Sequence, residues 1–126
     1  MPDATQAMTY AEAEHRLTEM AKRIRNAEAA LDRAHEEAAD AESVYRRALA
    51  DALDRFREEG LAVEHALMRA RAECFVLSGD RDKANGRVRH RLEVLEDRRG
   101  ERESLHRLVA WSHSLDIRSL NGASDA

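Results

Sequence analysis

Between Thr9 and Glu59 apolar residues recur in alternating steps of three and four, and no glycine or proline interrupts them. One heptad position reads Leu17, Ile24, Leu31, Ala38, Tyr45, Ala52, and the other reads Met20, Ala27, Ala34, Ala41, Ala48. A half-buried strand alternates with period two, whereas a repeat of about 3.5 keeps one side of an α-helix apolar. The stretch therefore predicts a long, coiled-coil-like helix. Thr9 followed by Glu12 has capping-box spacing, with the hydroxyl placed for a free N–H and the carboxylate reaching back. The register passes through Asp40-Ala41-Glu42-Ser43 unshifted, which predicts a helix continuous through that point. Near its end the stripe widens to Tyr45, Leu49, Leu53 and Phe56, a face suited to a bundle.

Gly60 is a left-handed stop signal. A short helix is expected over Leu61–Leu77, with Leu67, Ala70, Cys74 and Leu77 on one face. Ser78-Gly79-Asp80 reads as a turn. A third helix is expected over Arg81–Ser114, with the stripe Val88, Leu92, Leu95, Leu105, Leu108, Val109 and Leu115. That stripe fails between Leu95 and Leu105, where Arg98, Arg99, Gly100 and Arg102 sit. Residues 1–8 and 119–126 lack periodicity and are expected to be disordered ends around a single helical domain, 9–118. The predicted class is all-α: a long-helix, short-helix, long-helix hairpin, folded back at Gly60 and at Gly79.

Composition narrows this further. Five glycines, one proline and 4% aromatics leave too little turn and sheet material for all-β or doubly wound folds. The apolar group is 43% of 126 residues, but 23 of these are alanine, so about 31 side chains remain to build a core. A thin hairpin with so few large apolar residues is expected to need copies of itself. The large seam residues Leu17, Met20, Ile24, Leu31 and Tyr45 are the candidate homo-oligomer interface. No apolar window is long enough for a membrane span. The first residues do not look like a signal peptide. The lone Cys74 excludes an intrachain disulfide framework and points to a reducing, cytoplasmic compartment.

The net charge of −4 hides an asymmetry. Ala27–Glu64 holds 11 acidic and 5 basic residues, whereas Arg81–Leu92 holds five basic residues and one acid. Arg87, Arg91, Arg98 and Arg102, spaced four, seven and four, fall along one face of the third helix, and Arg89 adds to the cluster. A row of guanidinium groups suits a phosphate backbone, where each contact releases condensed counterions. Two structural alternatives use the same charges: a solvated face neutralised by pairs such as Arg89–Glu93, or pairing with the acidic arm of the same hairpin. Few aromatics are available for base stacking, which argues for backbone contact without strong sequence readout.

Other chemistry finds little support. The histidines at 15, 35, 65, 90, 106 and 113 include no HExxH pair, and Cys74 has no nearby cysteine, so no metal is expected. Cys74 lies beside Phe75 and Val76 without a sequence-adjacent base and reads as a small buried hydrophobe. There is no nucleophile elbow and no phosphate-binding glycine loop. Neither a catalytic residue nor a cofactor is expected, and the chain is not expected to be an enzyme.

Leu77-Ser78-Gly79-Asp80-Arg81-Asp82, followed by a long helix ending in Leu105-His106-Arg107-Leu108-Val109-Ala110-Trp111-Ser112, resembles the UvsY family of phage recombination mediators. The resemblance spans roughly residues 15–118. It implies a ring-forming homo-oligomer that binds single-stranded DNA. Such a protein helps load a RecA-type recombinase in place of a single-strand-binding protein, here in the cytoplasm of a bacterial host. The family's DNA-contacting basic pair, late in the first helix, matches Arg46-Arg47. In this chain acids (Asp51, Asp54, Glu58, Glu59) crowd the positions around them. The alternatives are a helical scaffold protein that does not bind nucleic acid, and a regulator whose acidic arm mimics DNA.

Overall fold

The computed structural model describes the backbone of residues 9–125, with side chains except at 116, 117 and from 119 onward. Three helices follow one another: α1 (Tyr10–Glu58), α2 (Val63–Glu73) and α3 (Phe75–Asp125). The long–short–long helical hairpin is as the sequence predicts. The expected loose end at 1–8 lies outside the described residues. The backbone of α3 carries on through the expected C-terminal tail to Asp125, where no proline stops it.

α1 starts on the predicted capping box. The Thr9 N–H donates to Glu12 Oε2 at 3.2 Å, and the Glu12 N–H donates to Thr9 Oγ1 at 3.1 Å. Two donors that a helix start leaves free are thereby satisfied. The helix runs unbroken through Asp40–Ser43. It ends in a Schellman motif: Gly60 sits at φ +94, its N–H donates to Arg57 O at 3.0 Å, and the Leu61 N–H donates to Phe56 O at 3.2 Å.

The second fold-back, expected at Gly79, is absent. Among the described residues only Gly60 has a positive φ. Ser78, Gly79 and Asp80 lie inside α3, and the break between α2 and α3 is the single residue Cys74 (φ −93, ψ 16). Hydrogen bonds of helical i→i−4 spacing flank it, Cys74 N–H to Ala70 O and Ser78 N–H to Cys74 O, each at 3.0 Å. The physical reason is burial. Ala66, Ala70, Cys74 and Ala84 keep one buried face across the break, and half-buried Leu77, Arg81 and Val88 extend it. A turn at 78–80 would break that face, whereas one glycine inside a helix costs only about 1 kcal/mol.

Contacts group the described residues into two compact units: one of the start of α1 to Glu28 with α3 from Val94, the other of Ala29–Glu93. In an antiparallel helix pair each stretch touches only the stretch across from it. In the first unit Ala13, Met20, Ile24 and Leu95 are buried. Arg98 and Arg102 are half-buried between Leu95 and Leu105, so the gap in the stripe is bridged by arginines. Their methylene stems can cover apolar surface while the guanidinium stays wet. Leu92 and Leu115, expected in the stripe, are 41% exposed.

In the second unit every fully buried residue is alanine or cysteine: Ala34, Ala38, Ala52, Ala66, Ala70, Cys74 and Ala84. Ala52, Ala70 and Cys74 form a cluster, and Tyr45, Ala48, Leu49, Leu53 and Phe56 pack around it. Small seam residues allow close helix approach while larger ones wrap the edges. Guanidinium groups close the outside, with Arg81 4.3 Å from the Tyr45 ring centroid and Arg69 5.3 Å from that of Phe56.

The interface assignment changes accordingly. Met20 is 6% and Ile24 3% exposed within a single chain, so neither has surface left for a second copy. Tyr45 packs on the alanine cluster of its own chain. Leu17 and Leu31 are half-buried. The chain itself therefore covers Met20 and Ile24, whereas Leu17 and Leu31 keep part of their surface.

Candidate nucleic-acid interface

The acidic and basic arms meet inside the second unit. Glu37 lies 3.5 Å from Arg87, Glu42 lies 3.6 Å from Arg81, and Arg55 is paired with Glu73. Glu42 also accepts from Arg46 Nε at 2.7 Å, one turn along α1. Pairing within the hairpin thus takes up part of the basic cluster and part of the acidic arm. Exposed pairs of this kind contribute at most about 1 kcal/mol each, so they direct charge more than they hold the fold.

One place is not neutralised. Arg33 and Glu37 are one turn apart on α1, and Arg87 and Arg91 are one turn apart on α3. All four, with Ala30 and Ala34, line a hollow of about 250 Å³. The helices run antiparallel here, so Glu37 faces Arg87 and Arg33 shares the other end with Arg91. Three corners are cationic and one is anionic. Ala34 is buried and Ala30 half-buried, and their small side chains leave the floor of the hollow open. Arg33, Arg87 and Arg91 are exposed, so an incoming anion meets them without crossing a barrier. Three guanidinium groups and one carboxylate thus line one hollow beside the helix seam, and a guanidinium is the side-chain group best matched to an oxyanion.

The predicted arginine row therefore divides. Arg87 and Arg91 join at the hollow. Arg98 and Arg102 belong to the other unit, where Arg98 lies 3.5 Å from Glu101. There Arg99, unassigned in the sequence, lies 3.7 Å from Glu28. Arg89 and Arg47 are exposed and have no ion-pair partner among the described residues. Arg46 is held by Glu42 and does not line the hollow. Arg33 was missed because it sits in the acidic arm, where local charge counts bury its signal. The hairpin register set by Gly60, which places Arg33 across from Arg91, could have found it.

A second hollow, in the first unit, is lined by Arg16, Glu19, Met20, Arg23, Glu101, Ser104 and Leu105. Its two arginines face two carboxylates, so it has no charge surplus. Among the described residues no group of three His, Cys, Asp or Glu side chains is placed to hold a metal ion, and no helix is long and apolar enough to cross a membrane. The chain matches no family model, no curated protein and no solved structure.

Proposed function

We propose that this chain is a non-enzymatic accessory protein that binds the phosphate backbone of single-stranded DNA. The observation that carries this is the convergence of Arg33, Arg87 and Arg91 from two helices on one hollow, with a single carboxylate between them. Exposed Arg89 and Arg47 add cationic surface in the same unit. Backbone contacts without stacking aromatics bind DNA with little regard to sequence, as a mediator requires. The resemblance to the UvsY family supports the finer assignment. In that role the protein helps a RecA-type recombinase displace a single-strand-binding protein during phage recombination and repair in the bacterial cytoplasm.

Three arginines bind a strand weakly, so the role calls for several copies, whose contacts multiply through effective concentration. With Met20 and Ile24 covered by their own chain, the outward face of α2 and α3 is the surface for self-association. Met68 is 61%, Phe75 76% and Val76 72% exposed there.

The test is titration of a labelled single strand at two salt concentrations. Binding is expected at ~50 mM salt, falling as salt rises with a log–log slope of about −0.7 per phosphate neutralised. Arg91→Glu is expected to weaken binding without changing helix content. Absence of binding at the lower salt would sink the proposal. A scaffold role is the second possibility, favoured by the same exposed Met68, Phe75 and Val76 and by the arginines already tied to Glu28, Glu37 and Glu42. It predicts self-association with no DNA affinity. The DNA-mimic alternative keeps on its side exposed acids with no ion-pair partner among the described residues, such as Asp32, Glu36, Asp40, Asp51 and Asp54, and it predicts competition with DNA for a DNA-binding partner and no affinity for DNA itself.

A further inference from the structure

The Arg33–Arg87–Arg91 hollow contains a carboxylate whose geometry is that of a loose internal ligand. Glu37 Oε2 stands 3.5 Å from Arg87 Nε, beyond the 2.7–2.9 Å of a charge-assisted hydrogen bond. The Glu37 side chain is 60% and that of Arg87 55% exposed, so water screens the pair and either partner can swing away. Arg33, one turn before Glu37, has no carboxylate within ion-pair distance among the described residues, so Glu37 is paired with Arg87 alone. Arg91 has no carboxylate partner among the described residues either. The hollow therefore holds more cationic donors than its one anion can satisfy, and that anion is held poorly.

We infer that Glu37 is a built-in competitor: its carboxylate occupies the oxyanion position of the hollow, and a phosphate displaces it, taking donors from Arg33, Arg87 and Arg91 together. This rests on the phosphate-binding role proposed above and adds a specificity device to it. A phosphodiester or phosphate, with several acceptor oxygens around one centre, can bridge donors on both helices at once. A planar carboxylate on a helix can bridge fewer. A carboxylate ligand in solution would gain nothing over Glu37 and would be rejected. The competitor also sets the affinity low, so that a strand is held by many copies and released by few.

Glu37→Gln keeps the shape of the side chain and removes its charge. It is expected to tighten binding of inorganic phosphate and of a single-stranded oligothymidylate by about fivefold, the factor a like charge about 4 Å away is worth in water. Glu36→Gln changes the net charge equally but lies off the hollow, and it is expected to change binding by less than half as much. Binding is read from the Nε–H resonances of Arg33, Arg87 and Arg91 on titration with phosphate, and by anisotropy for the oligonucleotide. Acetate is the carboxylate arm and is expected to shift none of these resonances. Equal effects of the two variants, or weaker phosphate binding by Glu37→Gln, would overturn the competitor assignment. Oligonucleotide binding that ignores Glu37, Arg33 and Arg91 would remove the hollow and leave DNA binding to be located elsewhere. Phosphate binding that depends on Glu37, with no oligonucleotide bound at ~50 mM salt, would keep the oxyanion site and sink the DNA-binding role.

Discussion

Gly60 and Gly79 both look like turn residues in the sequence, yet only Gly60 turns the chain, and replacing each with alanine should move stability in opposite directions. At Gly60 the φ of +94 is left-handed, and a Cβ built there meets nothing within 4 Å, so the cost is purely conformational. An L-residue in that region costs about 1–2 kcal/mol. Alanine's narrower unfolded ensemble offsets about 0.4–1 kcal/mol of this. Gly60→Ala should therefore destabilise by roughly 0.5–1 kcal/mol. At Gly79 a Cβ also meets nothing within 4 Å, but the residue lies inside α3, where alanine is favoured over glycine by about 1 kcal/mol. With a urea m-value of about 1–3 kcal/mol/M, the two midpoints should separate by roughly 0.5–2 M, one on each side of the parent. The assay is urea denaturation followed by far-UV circular dichroism at one dilute protein concentration. Gly100→Ala, also in α3 with open space around it, should shift the same way as Gly79→Ala. A Gly79→Ala midpoint below that of the parent would restore a turn at Ser78–Asp80 and refute the single fold-back.

Other consequences follow from burial and charge. Ile24→Asp places a charge at a position 3% exposed in the first unit and should cost about 3–5 kcal/mol, seen as lost helicity and a lowered melting temperature. Had Ile24 been an interface between copies, the variant would be a well-folded monomer instead. Phe75→Glu, on the outward face, should leave melting unchanged and lower the mass in light scattering. An unchanged mass would move self-association off that face. Arg33→Gln should flatten the salt dependence of single-strand binding by about 0.7 in log–log slope, and a slope equal to that of the parent would exclude Arg33 from phosphate contact.

Periodicity and caps made much of the fold legible. The heptads of α1, its capping box and the stop at Gly60 each follow from local chemistry, and the structure reproduces all three. The turn at Ser78-Gly79-Asp80 failed because turn residues report local preference, whereas the buried face through Ala70, Cys74 and Ala84 is set by the facing helix. Apolar identity likewise misled at Leu92 and Leu115, both 41% exposed, while Arg98 and Arg102 are half-buried between Leu95 and Leu105. The site was half legible. Spacing found Arg87 and Arg91 on one helix. Arg33 and Glu37 came into view only once the register was known, because pairing across a hairpin is invisible to any window along the chain.

The alanine seam in the second unit links these points and can be tested at Ala70, which is 0% exposed. Counted by hydrophobicity, Ala70→Leu adds apolar area and should stabilise. Counted by packing, it drives a larger side chain between helices that meet through alanine, and overpacking costs about 1–3 kcal/mol. Ala72→Leu, two residues on and on the exposed face, is the control and should be nearly neutral in the monomer. If packing dominates, Ala70→Leu lowers the urea midpoint, because the added side chain must push apart the Ala52–Ala70–Cys74 cluster. A stabilised Ala70→Leu would show that the helices can separate freely.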